Sequence, residues 1–126
     1  NKLIDELRLK LETKAFDEAM LYFNLKEYQS ATITLNNMLK DFPDSQNAEK
    51  IRYFIVKSNY TLAENSVYSK KLERYETTLI AAELYLNKFS KTKDRREVDG
   101  ILKSTKQIIK NLEKDGYKDK STRDRS

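Results

Sequence analysis

From Tyr28 to Phe42 the apolar positions are Tyr28, Ala31, Leu35, Met38, Leu39 and Phe42. These steps of three and four residues predict a helix with one buried stripe. The same rhythm appears elsewhere. Leu3, Ile4, Leu7 and Leu11 open the chain at helical spacing, with Leu9 off that face. Residues 13–25 carry Ala15, Phe16, Ala19, Met20, Tyr22 and Phe23, and whether these two stretches form one helix is open, since no Gly or Pro separates them. "NLKEY" reads as a short polar break. Pro43 ends the helix that starts at Tyr28, because it lacks an amide proton and disfavours the helical conformation in the residue before it. Asp44 or Ser45 is placed to cap the next helix. That helix begins near Asn47, with Ile51, Phe54, Ile55, Ser58 and Leu62 on one side. A turn or slack stretch in "ENSVYSKK" precedes a helix over 71–89. "SKTKDR" breaks the pattern again. A last helix over 95–113 aligns Val98, Ile101, Leu102, Thr105, Ile108, Ile109 and Leu112, and Gly116 is a plausible stop.

Shifted by 47 residues, the chain lies over itself. "EYQSATITLNNMLKDFPDSQNAEKI" matches "RYETTLIAAELYLNKFSKTKDRREV", pairing Tyr28 with Tyr75, Ile33 with Ile80, Leu39 with Leu86, Phe42 with Phe89 and Ile51 with Val98. Each segment is an aromatic start, an apolar helix, a Phe, a polar turn and a new helix. That is the repetition of an α-solenoid. A tetratricopeptide unit ending at Pro43 puts small packing residues at Ala19 and Ala31 and aromatics at Tyr22 and Tyr28; it departs from consensus at Ala15, and Ser90 stands where the second unit would have Pro. The expected fold is all-α: a tetratricopeptide-like solenoid of about five to six antiparallel helices. Its parts are 1–12, the end of an upstream helix or repeat; 13–46, a first repeat; 47–92, a longer second repeat; 93–114, a capping helix; and 115–126, a tail with no apolar face, expected to be disordered. Phe42 is expected to be buried at the seam. The tyrosines, at helical spacing, read as packing residues with hydroxyls at the edge.

Composition removes most chemistry. Of 126 residues none is Cys or His, which excludes disulfides and takes away the commonest general base and transition-metal ligand. No nucleophile, phosphate-binding loop or paired carboxylate stands out, so no catalytic, cofactor or metal residues are expected. No apolar run approaches a membrane span. The net charge of +5 is uneven: residues 1–87 sum to −1, and residues 88–114 to +5. Lys103, Lys106, Lys110 and Lys114 follow at three- and four-residue steps on the last helix. This face is either a solvated surface or a dock for an acidic partner or anionic headgroups. Nucleic acid is disfavoured, since no aromatics or glycines interleave the charges.

Phe42-Pro43-Asp44-Ser45 followed by Ala48, Tyr53 and Ile55, with the stretch Tyr60-Thr61-Leu62-Ala63-Glu64-Asn65-Ser66, resembles the BamD family of outer-membrane assembly lipoproteins. "KAFDEAMLYFNLKEYQSATITLNNMLKDFPDS" and "SNYTLAENSV" look most like its Bacteroidetes-type members. The resemblance covers roughly residues 3–112 and the C-terminal repeats of that family. The lipidated Cys and first repeats of the family are absent, as expected of a fragment. What the resemblance implies is a non-catalytic scaffold on the periplasmic face of the outer membrane. Its partners would be the POTRA domains of a BamA-like insertase, other assembly lipoproteins and incoming unfolded barrel proteins, and its membrane link a lipid anchor outside this chain. The implied dock is the side of the second predicted helix away from its stripe: Thr34, Asn37 and Asp41. Ile33 also points away from the stripe, either to pack on the next helix or to join the interface. The family's basic docking residue has Thr34 as its nearest position here, so that salt bridge is not carried over. The alternative is a generic repeat scaffold of the cell envelope that binds another protein or peptide.

Overall fold

The computed structural model describes residues 1–116, and the expected disordered tail beyond Gly116 lies outside them. They form five helices and no strand: α1 Lys2–Asn24, α2 Tyr28–Asp41, α3 Ala48–Glu64, α4 Tyr68–Lys88 and α5 Arg95–Lys114. The protein is all-α. The count is five because α1 runs unbroken through residues 12 and 13. Asn1 caps it, its Oδ1 accepting the Leu3 amide at 2.8 Å.

The chain divides into two compact units, Asn1–Ser58 and the residues from Asn59 onward, with the division inside α3. In the first unit α1 and α2 form an antiparallel hairpin. Phe23 meets Tyr28 edge-to-face at 5.5 Å at one end, and Arg8 lies over Phe42 at the other. The reversal between them is a Schellman motif. Glu27 donates its amide to the Tyr22 carbonyl at 2.8 Å, and Lys26 to that of Phe23 at 3.0 Å. Lys26 holds the left-handed position, φ 63°, where glycine is usual. Ala19 and Ala31 are fully buried, which lets the two backbones approach. Phe54 of α3 packs edge-on against Phe16 and Phe23 at 6.1 and 5.3 Å.

In the second unit Ala63, Leu72, Tyr75 and Leu112 form a core cluster with Tyr60, Ile108 and Ile109 packed on it. Leu72 and Tyr75 near the start of α4 thus meet the end of α5, and Arg95 at the start of α5 bonds the end of α4, so this hairpin is antiparallel as well. Tyr60 and Ser104 share a hydrogen bond of 2.8 Å. Tyr85 is fully buried with its hydroxyl on Thr92 Oγ1 at 2.5 Å. The hydroxyl expected at the packing edge is therefore, for Tyr85, an internal tie to the turn.

The 47-residue repeat is a repeat of local geometry. After α2, Ala48 donates to the Ser45 carbonyl at 3.3 Å and Ile51 to that of Asn47 at 3.0 Å; after α4, Arg95 donates to Thr92 at 3.3 Å and Val98 to Asp94 at 3.1 Å. Every one of these residues is 47 from its counterpart. Burial follows the same register: Leu35 and Ala82, Met38 and Tyr85, Ile51 and Val98, and Ser58 and Thr105 are all buried. Pro43 is exposed at the first seam, and Ser45 Oγ accepts the Asn47 amide at 2.9 Å. Phe42 is only half-buried, a correction to the expected seam core. The start of α1 extends past the end of α2, and the Phe42 ring lies beneath Arg8 at the edge of the hairpin.

Candidate docking surface

With two glycines in 126 residues, most helix ends cannot close on a left-handed glycine, and cations from neighbouring helices bond the free carbonyls instead. Lys71 Nζ reaches the Ala63 and Glu64 carbonyls of α3 at 3.2 and 2.9 Å. Arg74 bonds Ser66 Oγ at 2.6 Å just beyond the same end. Arg95 donates to the Leu86 carbonyl at 2.9 Å and to that of Phe89, closing α4. Arg8 approaches the Asp41 carbonyl of α2 at 3.5 Å. Gly116, at φ 75°, supplies the glycine stop only for α5. Part of the basic excess after residue 88 is therefore structural.

The candidate docking residues fall into two sets, one in each unit. On α2, Ile33, Asn37 and Asp41 stand four residues apart and are all exposed, Ile33 at 56%. More than half of Ile33 is therefore open to solvent. Thr34 is half-buried and turns partly towards the core, so it forms the edge of this face. The buried side of α2 is held by Ala31, Thr32, Leu35 and Met38. Thr32 donates to the Gln29 carbonyl at 2.7 Å, and Asn36 to the Thr32 carbonyl at 2.9 Å. The polar groups beside the face are thereby satisfied within the helix.

On α5, Lys103, Lys106, Lys110 and Lys114 are exposed. Lys103 pairs with Asp99 at 2.9 Å, both side chains well exposed. An exposed pair at this spacing is worth a few tenths of a kcal/mol and is easily traded for a partner. The four-residue spacing of Asp99 and Lys103 is the sequence signal for this pair. On the second hairpin Ile80 and Leu84 are exposed at 61% and 45%. They are the counterparts of Ile33 and Asn37, and the pairing of Ile33 with Ile80 was the available signal.

Among the described residues no group of three acidic, His or Cys side chains is placed to hold a metal ion, and no helix is long and apolar enough to cross a membrane. What these faces offer is contact area of mixed character: isolated aliphatic side chains ringed by amide and charged groups. No known protein family and no curated protein matches this sequence.

Proposed function

We propose that this chain is a non-catalytic helical-repeat scaffold that binds another protein through the outward faces of its hairpin helices. The observation that carries the reading is the recurrence of one outward aliphatic position, Ile33 on α2 and Ile80 on α4, in two units whose cores follow the same register. An isoleucine exposed by more than half, at matching places on two rigid helices, is a plausible anchor for a partner. The resemblance of the Phe42–Ser45 seam to the BamD family supplies the setting we propose: the periplasmic face of the outer membrane, where the scaffold docks the POTRA domains of a BamA-like insertase and accessory lipoproteins.

The test is a pull-down of those periplasmic domains by the chain, with Asn37→Lys and Asp41→Lys combined on the α2 face. Binding by the parent that the double variant loses supports the dock. Binding that the double variant retains removes α2 as the dock. If the POTRA domains do not bind the parent, the outer-membrane setting falls, and the generic envelope scaffold is the reading to pursue. For α5, changing Lys103, Lys106 and Lys110 to Glu is expected to leave helical content intact and to lower partner affinity at low ionic strength, where exposed charge is least screened. Unchanged affinity there makes the lysine stripe a solvated surface.

A further inference from the structure

The overhang of α1 beyond α2 leaves a cleft of about 550 Å³ beside the first seam, between the first turns of α1 and the segment that follows α2. Its walls are chemically divided. Ile4, Leu9 and the half-buried Phe42 ring give it apolar surface. Asp5, Glu12 and Asp44 give it three carboxylates.

Glu12 is the unusual member. It is 7% exposed, and among the described residues no hydrogen bond or ion pair engages its side chain. A glutamate this buried ordinarily has a partner, and here its carboxylate has only the cleft to face. The one cation in the cleft does not serve. Arg8 sits one turn before Glu12, but its guanidinium is turned to the Phe42 ring, 5.8 Å from the centroid, and to the Asp41 carbonyl. The cleft therefore holds an apolar wall and a largely buried glutamate that its one cation does not pair.

We propose that this cleft binds a peptide segment carrying a Lys or Arg beside an aliphatic residue, with the cation seated on Glu12. The aliphatic side chain, and the methylene stem of the cation, would lie against Ile4, Leu9 and Phe42, as long basic side chains bury their stems while their heads stay polar. Asp5 and Asp44 at the rim add attraction for a positive segment and repel an acidic one. The site is separate from the outward face of α2 and does not rest on that docking reading.

The experiment uses the full chain and two fluorescein-labelled, end-blocked peptides, Gly-Lys-Leu-Lys-Leu-Gly and its counterpart with Glu for Lys, followed by fluorescence anisotropy at low salt. The Lys peptide is expected to bind at least tenfold more tightly than the Glu peptide. Glu12→Gln, which keeps the shape and removes the charge, is expected to lose at least tenfold for the Lys peptide. Asp44→Asn, an exposed rim change that leaves the packing alone, should weaken binding about two- to threefold. Asn37→Lys on α2 should leave it unchanged. Equal binding of the two peptides, or full binding by a Glu12→Gln variant, overturns the proposal. If Glu12→Gln does not fold, the Asp44→Asn result decides: no loss there also overturns it. Concentration-dependent dimerisation by sedimentation, with no peptide bound, would assign the cleft to a second copy of the chain and likewise overturn the proposal.

Discussion

Replacing Arg95 with Ala removes the cation that closes α4. In the folded chain its Nη1 serves both the Leu86 and the Phe89 carbonyls. A hydrogen bond to a charged group contributes about 1.5–3 kcal/mol net. One nitrogen shared between two acceptors should not be counted twice. The side chain is half-buried, and water can reach the turn once the guanidinium is gone, which returns part of the loss. We therefore expect about 2 kcal/mol. Because the chain has two compact units, a global melt can mix their responses. Amide hydrogen exchange at the end of α4 and the first turn of α5 isolates the effect. There, about 2 kcal/mol appears as roughly 30-fold faster exchange. Arg95→Lys keeps the charge and loses the planar fork, so it should recover part of the protection. Exchange accelerated less than about twofold in Arg95→Ala would refute the idea that cations take the place of glycine at these helix ends.

Three further outcomes follow from particular contacts. Lys26→Gly relieves a left-handed Lys at the α1–α2 turn; it should stabilise the first hairpin by about 0.5–1 kcal/mol in urea titration, and a loss of stability would mean that the Lys side chain contributes more than the strain. Thr105 Oγ1 is fully buried with no hydrogen-bond partner, so the near-isosteric Thr105→Val should raise stability by about 1 kcal/mol, and destabilisation would show that the hydroxyl is satisfied in solution. Burial, then the charges of Glu64 and Tyr60, raise the Tyr75 pKa above the usual 10.0. The folded state holds this proton more tightly than the unfolded one, so the contribution to stability is complete below pH 10.0 and is lost as pH rises through the folded value. Tyr75→Phe should flatten that alkaline decline, and an unchanged slope would dismiss the tyrosine as its source.

Helix positions were legible in the sequence because each buried stripe has a three- and four-residue period and each break is marked by polar residues or Pro43. The last helix, read as 95–113, spans Arg95–Lys114. The structure starts α4 at Tyr68, three residues before the helix expected over 71–89. Tyr68, Ser69 and Lys70 are all exposed and carry no apolar period, so pattern alone cannot include them. The continuity of α1 has a related cause: its first ten residues, from Lys2 to Leu11, are all exposed, so the apolar spacing of Leu3, Ile4, Leu7 and Leu11 marks no buried face that could be followed into the next stretch. The cleft was not legible at all. Arg8 and Phe42 are 34 residues apart, and their meeting depends on how far α1 outruns α2, which is a property of the hairpin and of no single segment.

Where the two copies of the repeat differ is as informative as where they agree. The buried counterparts remain apolar or small: Leu35 and Ala82, Met38 and Tyr85, Ile51 and Val98, and Ser58 and Thr105 at the matching sequence position. Packing volume and the need to avoid buried charge hold these positions. The outward counterparts share only the isoleucines. Asn37 corresponds to Leu84, Asp41 to Lys88, and the seam residue Ala48 to the capping Arg95. One copy thus presents an isoleucine beside an amide and a carboxylate, the other an isoleucine beside a leucine and an ammonium. Such a difference costs the core nothing, because these side chains are outside it, but it changes which surface each copy can complement. Two faces built on one register and differing in charge sign suit unlike partners, or unlike parts of one partner, better than two identical ones. A variant that exchanges them, Asn37→Leu with Asp41→Lys, should therefore fold as the parent does and fail to hold the partner of the α2 face. Retention of that partner would mean that the shared Ile33 position alone carries the contact.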